Sequence, residues 1–262
     1  MERLGLYCVP YRALDIVADL GFDLVQDYAH GWWTSTGEIT AYFDKCATLG
    51  LKVLWSLPLS LVRETPEPEM LRRALGQLRV LKDHPALDAW YLLDEPETVS
   101  SGDRDQLLTT SRNWAHSLKT LAPDVPTVTA TCSWYRHLGS YPWPGDRLLC
   151  STYAVRQYWP FGAYQLPAIW AGLALLYPGH LVPIIQRHDA DLYWGHPYRA
   201  PNEYEMAWMC TCAKRFNEVW FWPGVVNDVL PGHDPLMIRP DYDVTRSGEQ
   251  AAFRRWLRYL GR

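Results

Sequence analysis

Eight short apolar runs alternate with amphipathic stretches along 262 residues, glycines stand at helix ends directly ahead of strands, and no linker or repeat breaks the order. These three observations predict an α/β fold, a single (β/α)8 TIM barrel over residues 1–262. A doubly wound open sheet is the competing architecture, but the first βα turn, Val9-Pro10-Tyr11-Arg12, lacks the Gly-rich phosphate fingerprint.

The strands are expected at Leu4–Pro10, Phe22–Tyr28, Leu51–Pro58, Leu87–Asp94, Thr127–Ser133, Arg147–Ala154, Leu181–Arg187 and Glu218–Pro223, where β-branched and aromatic residues concentrate. Helices are expected near Arg12–Leu20, Glu38–Leu49, Glu69–Lys82, Gly102–Leu121, Pro167–Leu176, Glu203–Phe216 and Gly248–Leu260. The crossover Trp134–Asp146 carries the weakest helical pattern. Leu20-Gly21-Phe22 and Leu49-Gly50-Leu51 place glycine just past a helix, where a left-handed residue ends it.

Composition narrows the function classes. A net charge of -4 without acidic or basic blocks gives no electrostatic footprint for nucleic acid or an anionic membrane. The longest apolar run, Ala168 to Tyr177, is about half the length of a membrane-spanning helix. Met1-Glu2-Arg3 leads into a strand-like run with no signal-peptide pattern, so a cytoplasmic location is the expectation. Six cysteines, at positions 8, 46, 132, 150, 210 and 212, lack zinc spacing and are expected to be reduced core residues. Fourteen tryptophans and sixteen tyrosines stand against six phenylalanines, an excess of rings with a polar handle. Such rings serve as stacking platforms for sugars, and large aromatic cores produce the same count.

The most informative stretch is His84 to Pro96, an apolar strand that runs into Asp94-Glu95-Pro96. A strand ending in two carboxyls at the rim of a core can tune one of them for proton transfer, and the proline ends the ladder. A solvated β-turn is the simpler alternative for the same three residues. In a barrel the other strand ends would add Asp27 with Trp32 and Trp33, then Trp55, Trp134, Tyr153, Gln186 with His188, and Trp222 with Asp228. Trp55, Trp90 and Trp170 also lie within strand or helix patterns that favour the core. His188-Asp189-Ala190-Asp191 and His196 have residue types that suit a divalent ion, yet the loop fits a solvated turn and no metal is assigned.

With these residues in view, the chain resembles glycoside hydrolase-type (β/α)8 barrels over nearly its whole length. The resemblance rests on Leu81 to Leu87 with Trp90-Tyr91-Leu92 and Asp94-Glu95-Pro96, on Leu49 to Leu54, and on Arg199 to Met206 with Glu218 to Trp222. It implies a glycosidase acting on an oligosaccharide or glycoconjugate, with Glu95 as the acid/base at the end of strand four and no cofactor. The retaining enzymes of this type carry a nucleophilic glutamate on strand seven, where this chain has Gln186, and an asparagine where it has Asp94. A neutral amide cannot form a glycosyl ester. Gln186 as the native residue of a subgroup, an engineered replacement, and a barrel that no longer hydrolyses are the three explanations.

The implied catalytic set is Glu95, Asp94 and Asp228, with Asp27, Trp32, Trp33, Trp55, Trp134, Tyr153, Gln186, His188 and Trp222 on the substrate. Strand neighbours alternate faces, so Asp94 and Glu95 cannot both point into the mouth, and the second carboxylate is sought among Asp27, Asp189 and Asp228. The expected partner is a carbohydrate. The alternative is a carbohydrate-binding barrel without catalysis, lacking the strand-seven nucleophile. Oligomeric state is not legible from the sequence.

Overall fold

Eight parallel strands close into a barrel in sequence order: β1 (Arg3–Tyr7), β2 (Leu24–Gln26), β3 (Lys52–Ser56), β4 (Leu87–Leu93), β5 (Thr127–Thr131), β6 (Arg147–Cys150), β7 (Leu181–Gln186) and β8 (Glu218–Trp222). The computed structural model describes residues 1–26, 35–56, 68–93, 95, 101–131, 145–150, 162–177, 181–186, 200–222 and 244–262. Around the strands lie α1 (Leu14–Asp19), α2 (Thr36–Thr48), α3 (Pro68–Leu81), α4 (Ser101–Leu121), α5 (Gly162–Leu176), α6 (Glu203–Ala213) and α7 (Ser247–Leu260). The (β/α)8 architecture predicted from the alternating pattern is therefore present.

Local chemistry explains where the elements stop. Gly21 and Gly50 adopt left-handed φ of 86° and 73°, ending α1 and α2 as their positions in the sequence predict. At α2 a reciprocal capping box links Ser35 and Glu38, so the helix starts at Thr36, ahead of the expected Glu38. Asn202 and Glu205 form the same box at α6. β1 ends at Tyr7, short of the expected Pro10, because Cys8 has φ 57° and leaves the ladder. Helix α5 begins at Gly162 and contains Pro167, where a helix start was expected. Burial of Ala163 and Leu166 in the core offsets the hydrogen bond the proline removes. The crossover Trp134–Asp146 lies outside the described residues except for its last two positions.

Two apolar layers hold the barrel. The outer one fills the space between strands and helices: Phe43 of α2 packs edge-on against Trp55 at 5.4 Å, and Phe253 of α7 meets Phe22 and Phe221 at 5.4 and 5.6 Å. Each such side chain contributes roughly 1.5–3 kcal/mol by leaving water. Trp90 and Trp170 belong to this layer, as the strand and helix patterns predict. The inner layer fills the lumen with Leu24, Leu54, Ala89, Val128, Leu149, Val182, Ile184 and Trp220. Cys8, Cys46, Cys150 and Cys210 are buried and, like Cys212, form no disulfide; Cys132 lies outside the described residues. Burial raises the Cys210 thiol above its ordinary pKa.

The N-terminal end of the lumen is closed by charge. Arg147 donates to Asp88 at 2.5 Å and to Glu218 at 2.7 Å, and Arg3 pairs with both carboxylates. Burial would raise the Asp88 carboxyl, but the Arg147 and Arg3 guanidiniums outweigh it and hold Asp88 below the usual value. Among the described residues, no helix is long and apolar enough to cross a membrane.

Candidate active site at the C-terminal mouth

Strand alternation and register decide which side chains face the mouth. Tyr7 and Tyr91 belong to the lumen cluster, and Trp222 packs against it. Gln26 alternates with the lumen residue Leu24, Ser56 with Leu54, and Gln186 with Val182 and Ile184, so all three point inward at the tops of β2, β3 and β7. Gln186 stands level with Trp222 and Ser56 level with Tyr91 in the ladders. The Tyr7 ring lies at the centre of an aromatic group, 4.9 Å from Trp220, 5.4 Å from Trp222 and 6.2 Å from Tyr91.

Gln26 Nε2 donates to Ser56 Oγ at 2.7 Å across β2 and β3, fixing the amide. The Tyr42 hydroxyl donates to the Val9 carbonyl at 2.9 Å, pinning the turn after β1 to α2. Amides, hydroxyls and ring faces are the groups that hydrogen-bond and stack a polyhydroxylated ring.

Glu95 follows β4 by two residues. Its N–H donates to the Ala130 carbonyl at 3.2 Å, which ties the end of β4 to β5, and its φ is 43°. A left-handed conformation on a long, non-glycine side chain costs roughly 1–2 kcal/mol. Such strain gathers at functional sites, where the surrounding structure imposes it. Glu95 is half-buried.

Of the expected site residues, Glu95, Gln186 and Trp222 are described and lie at this end of the barrel. Trp55 is a correction. Its indole is 1% exposed in the outer layer against Phe43, because odd and even positions of β3 point to opposite faces and Trp55 falls on the helix side. Asp27, Trp32, Trp33, Asp94, Trp134, Tyr153, His188 and Asp228 lie outside the described residues. Among the described residues, no cluster of His, Cys, Asp or Glu could hold a metal ion; His188, Asp189, Asp191 and His196 are not among them. Tyr91 is not among the expected site residues, although its inward position follows from its two-residue spacing from Ala89.

No protein-family model and no curated protein matches the chain. Solved structures do. A β-galactosidase from the psychrophilic Marinomonas ef1 shares 11% identity at a TM-score of 0.63, over 98% of this chain and 59% of its own length. The fold shared with these structures is the (β/α)8 barrel. An FMN-binding β-glucuronidase from Facaelibacterium prausnitzii L2-6 superposes with a TM-score of 0.66 and 14% identity, over 98% of this chain and 43% of its own. An endo-β-1,4-mannanase from Thermotoga petrophila gives 0.59 and 12%, over 99% and 76%. The chain thus spans a little over half of the galactosidase and less than half of the glucuronidase. At such identities the likeness concerns the barrel alone.

Proposed function

We propose that the chain is a glycoside hydrolase whose general acid is Glu95. The observation that carries this reading is a half-buried glutamate, held in a strained left-handed conformation, at the strand-four end of a glycosidase-type barrel. At the same end of the barrel lies a lumen floor of Tyr7, Gln26, Ser56, Tyr91, Gln186 and Trp222, suited to a sugar ring. In this reading Glu95 protonates the leaving glycosidic oxygen as the bond breaks. A second carboxylate then acts on the anomeric carbon, directly or through water. Asp94, Asp27, Asp189 and Asp228 are the candidates. A separation of about 5–5.5 Å from Glu95 belongs to retention and about 6.5–9.5 Å to inversion. Gln186 faces the lumen as an amide, so its role here is a hydrogen bond to substrate.

That same amide favours the second reading, a carbohydrate-binding barrel that has lost its nucleophile. The two are separated by assaying a panel of 4-nitrophenyl glycosides and polysaccharides with the wild-type chain and Glu95→Gln, following product anomers by NMR. Hydrolysis that falls by about 10²–10⁴-fold in the variant supports the enzyme. Glycan binding without cleavage by either protein supports the binding barrel.

A further inference from the structure

We infer that Gln26 is a ligand-binding residue, its Oε1 the acceptor for a hydroxyl that a saccharide brings into the barrel mouth. This rests on the carbohydrate reading above and names a contact within that site.

Gln26 is the last residue of β2 and is wholly buried. Its backbone is fully engaged, level with Tyr7 in the β1 ladder and accepting from the Val9 N–H at 3.0 Å. The side chain is held from one end only: Nε2 donates to Ser56 Oγ at 2.7 Å, while Oε1 has no hydrogen-bond partner. An unmet buried acceptor costs roughly 1–3 kcal/mol, and a leucine or methionine of similar shape would avoid that cost. At the opposite end of the same lumen, the Asp88 and Glu218 carboxylates are met by Arg3 and Arg147. Among the described residues, the carboxylates at the N-terminal end of the lumen are met, whereas Gln26 Oε1 beneath the mouth is not.

The missing group must be a donor, since a carboxamide oxygen only accepts. The described lumen groups at this level are neutral: Tyr7, Ser56, Tyr91, Gln186 and Trp222. None of these floor groups is a carboxylate, and Glu95, the described carboxyl at this end, is taken by the general-acid role of the proposed function, which favours a hydroxyl donor over an ammonium. Tyr7, level with Gln26 in the ladder, meets Trp222 edge-on at 5.4 Å between ring centroids, and Trp222 is partly exposed. A hydroxyl edge flanked by aromatic faces is the chemistry of a pyranose. The rival donor is a single buried water, which would serve the fold and take no part in binding.

The experiment is a titration of the wild-type chain with D-galactose, D-mannose and D-glucuronate, reading the Gln26 carboxamide by 15N NMR. The resonance is assigned from its absence in Gln26→Leu or Gln26→Glu. The same sugars are then titrated calorimetrically into Gln26→Leu and Ser56→Ala. A carboxamide shift that saturates with a sugar, weakened about tenfold or more by Gln26→Leu without a lowered melting temperature, is the expected result. Ser56→Ala is expected to weaken the same sugar less, because it loosens the amide without removing the acceptor. A resonance that no sugar moves, or equal affinity in Gln26→Leu, overturns the assignment in favour of water. If the wild-type chain still cleaves aryl glycosides in that case, the glycosidase reading survives and only the role of Gln26 falls.

Discussion

The indole of Trp220 occupies the lumen over Gly5, where a Cβ on the glycine would overlap Cδ2, Cε2 and Cε3 of that ring. The ring is fixed there, since Nε1 donates to Glu218 Oε1 at 2.7 Å. Gly5→Ala is therefore expected to destabilise the chain by about 1–3 kcal/mol through overpacking. A lower urea midpoint would register it. The double variant with Trp220→Leu should lose less than the sum of the two single losses, because the clash disappears.

Arg147 and Arg3 together balance two carboxylates in the N-terminal lumen, with side chains of Asp88 and Glu218 only 14% and 8% exposed. Arg147→Leu leaves the two sharing Arg3 alone and is expected to cost about 3–5 kcal/mol at neutral pH. The deficit should shrink below about pH 4, where the stranded carboxyls can protonate. Urea unfolding at pH 7 and pH 4 tests both statements.

Acid should also weaken the wild-type barrel through Asp88. Its folded pKa lies below its unfolded value, so its contribution is complete above the unfolded pKa of about 3.9 and disappears as pH falls through the folded one. Asp146 acts in the same sense. Burial raises its carboxyl, but hydrogen bonds from Lys119 and from the Thr127 N–H and hydroxyl lower it further. Asp88→Asn should approach wild-type stability near pH 3 and fall well short of it at pH 7. Equal gaps at the two pH values would remove Asp88 as the source.

Glu95 carries strain that a side chain tolerant of the left-handed region would relieve. Glu95→Asn is expected to hold or raise stability, by up to about 1 kcal/mol, while abolishing hydrolysis. Thermal unfolding and the aryl glycoside assay, run on the same preparation, check the opposed signs. A variant that melts lower would show that the carboxylate stabilises the fold more than its backbone strains it.

Trp222 packs against the lumen cluster while remaining partly exposed at the mouth. Trp222→Ala should raise KM by about tenfold through lost stacking, with Trp222→Phe retaining most of the affinity. Steady-state kinetics on the best aryl glycoside provide the measurement.

Much of the framework follows from neighbours along the chain. Gly21 and Gly50 end their helices because a left-handed residue is needed there, and glycine pays no Cβ penalty. The site is legible only in part. Glu95 stands out because an apolar run meets two carboxyls and a proline, whereas Gln26 and Ser56 are legible only as strand-end positions and Tyr91 carries no local mark. Their importance comes from which face of the barrel they occupy.

The sequence alone determined the eight strands, the seven described helices between them, and the burial of Trp90 and Trp170, since periodicity and turn chemistry act over a few residues. Tertiary structure decided which alternate residues enter the lumen. Register shifts between Val53 and Leu54 and between Tyr91 and Leu93 reset the inward set on β4. Closure alone brings Arg3 to Asp88, 85 positions away, and seats Trp55 against α2. Those outcomes depend on strand tilt and stagger around the closed ring, which are properties of all eight strands together and of no single segment.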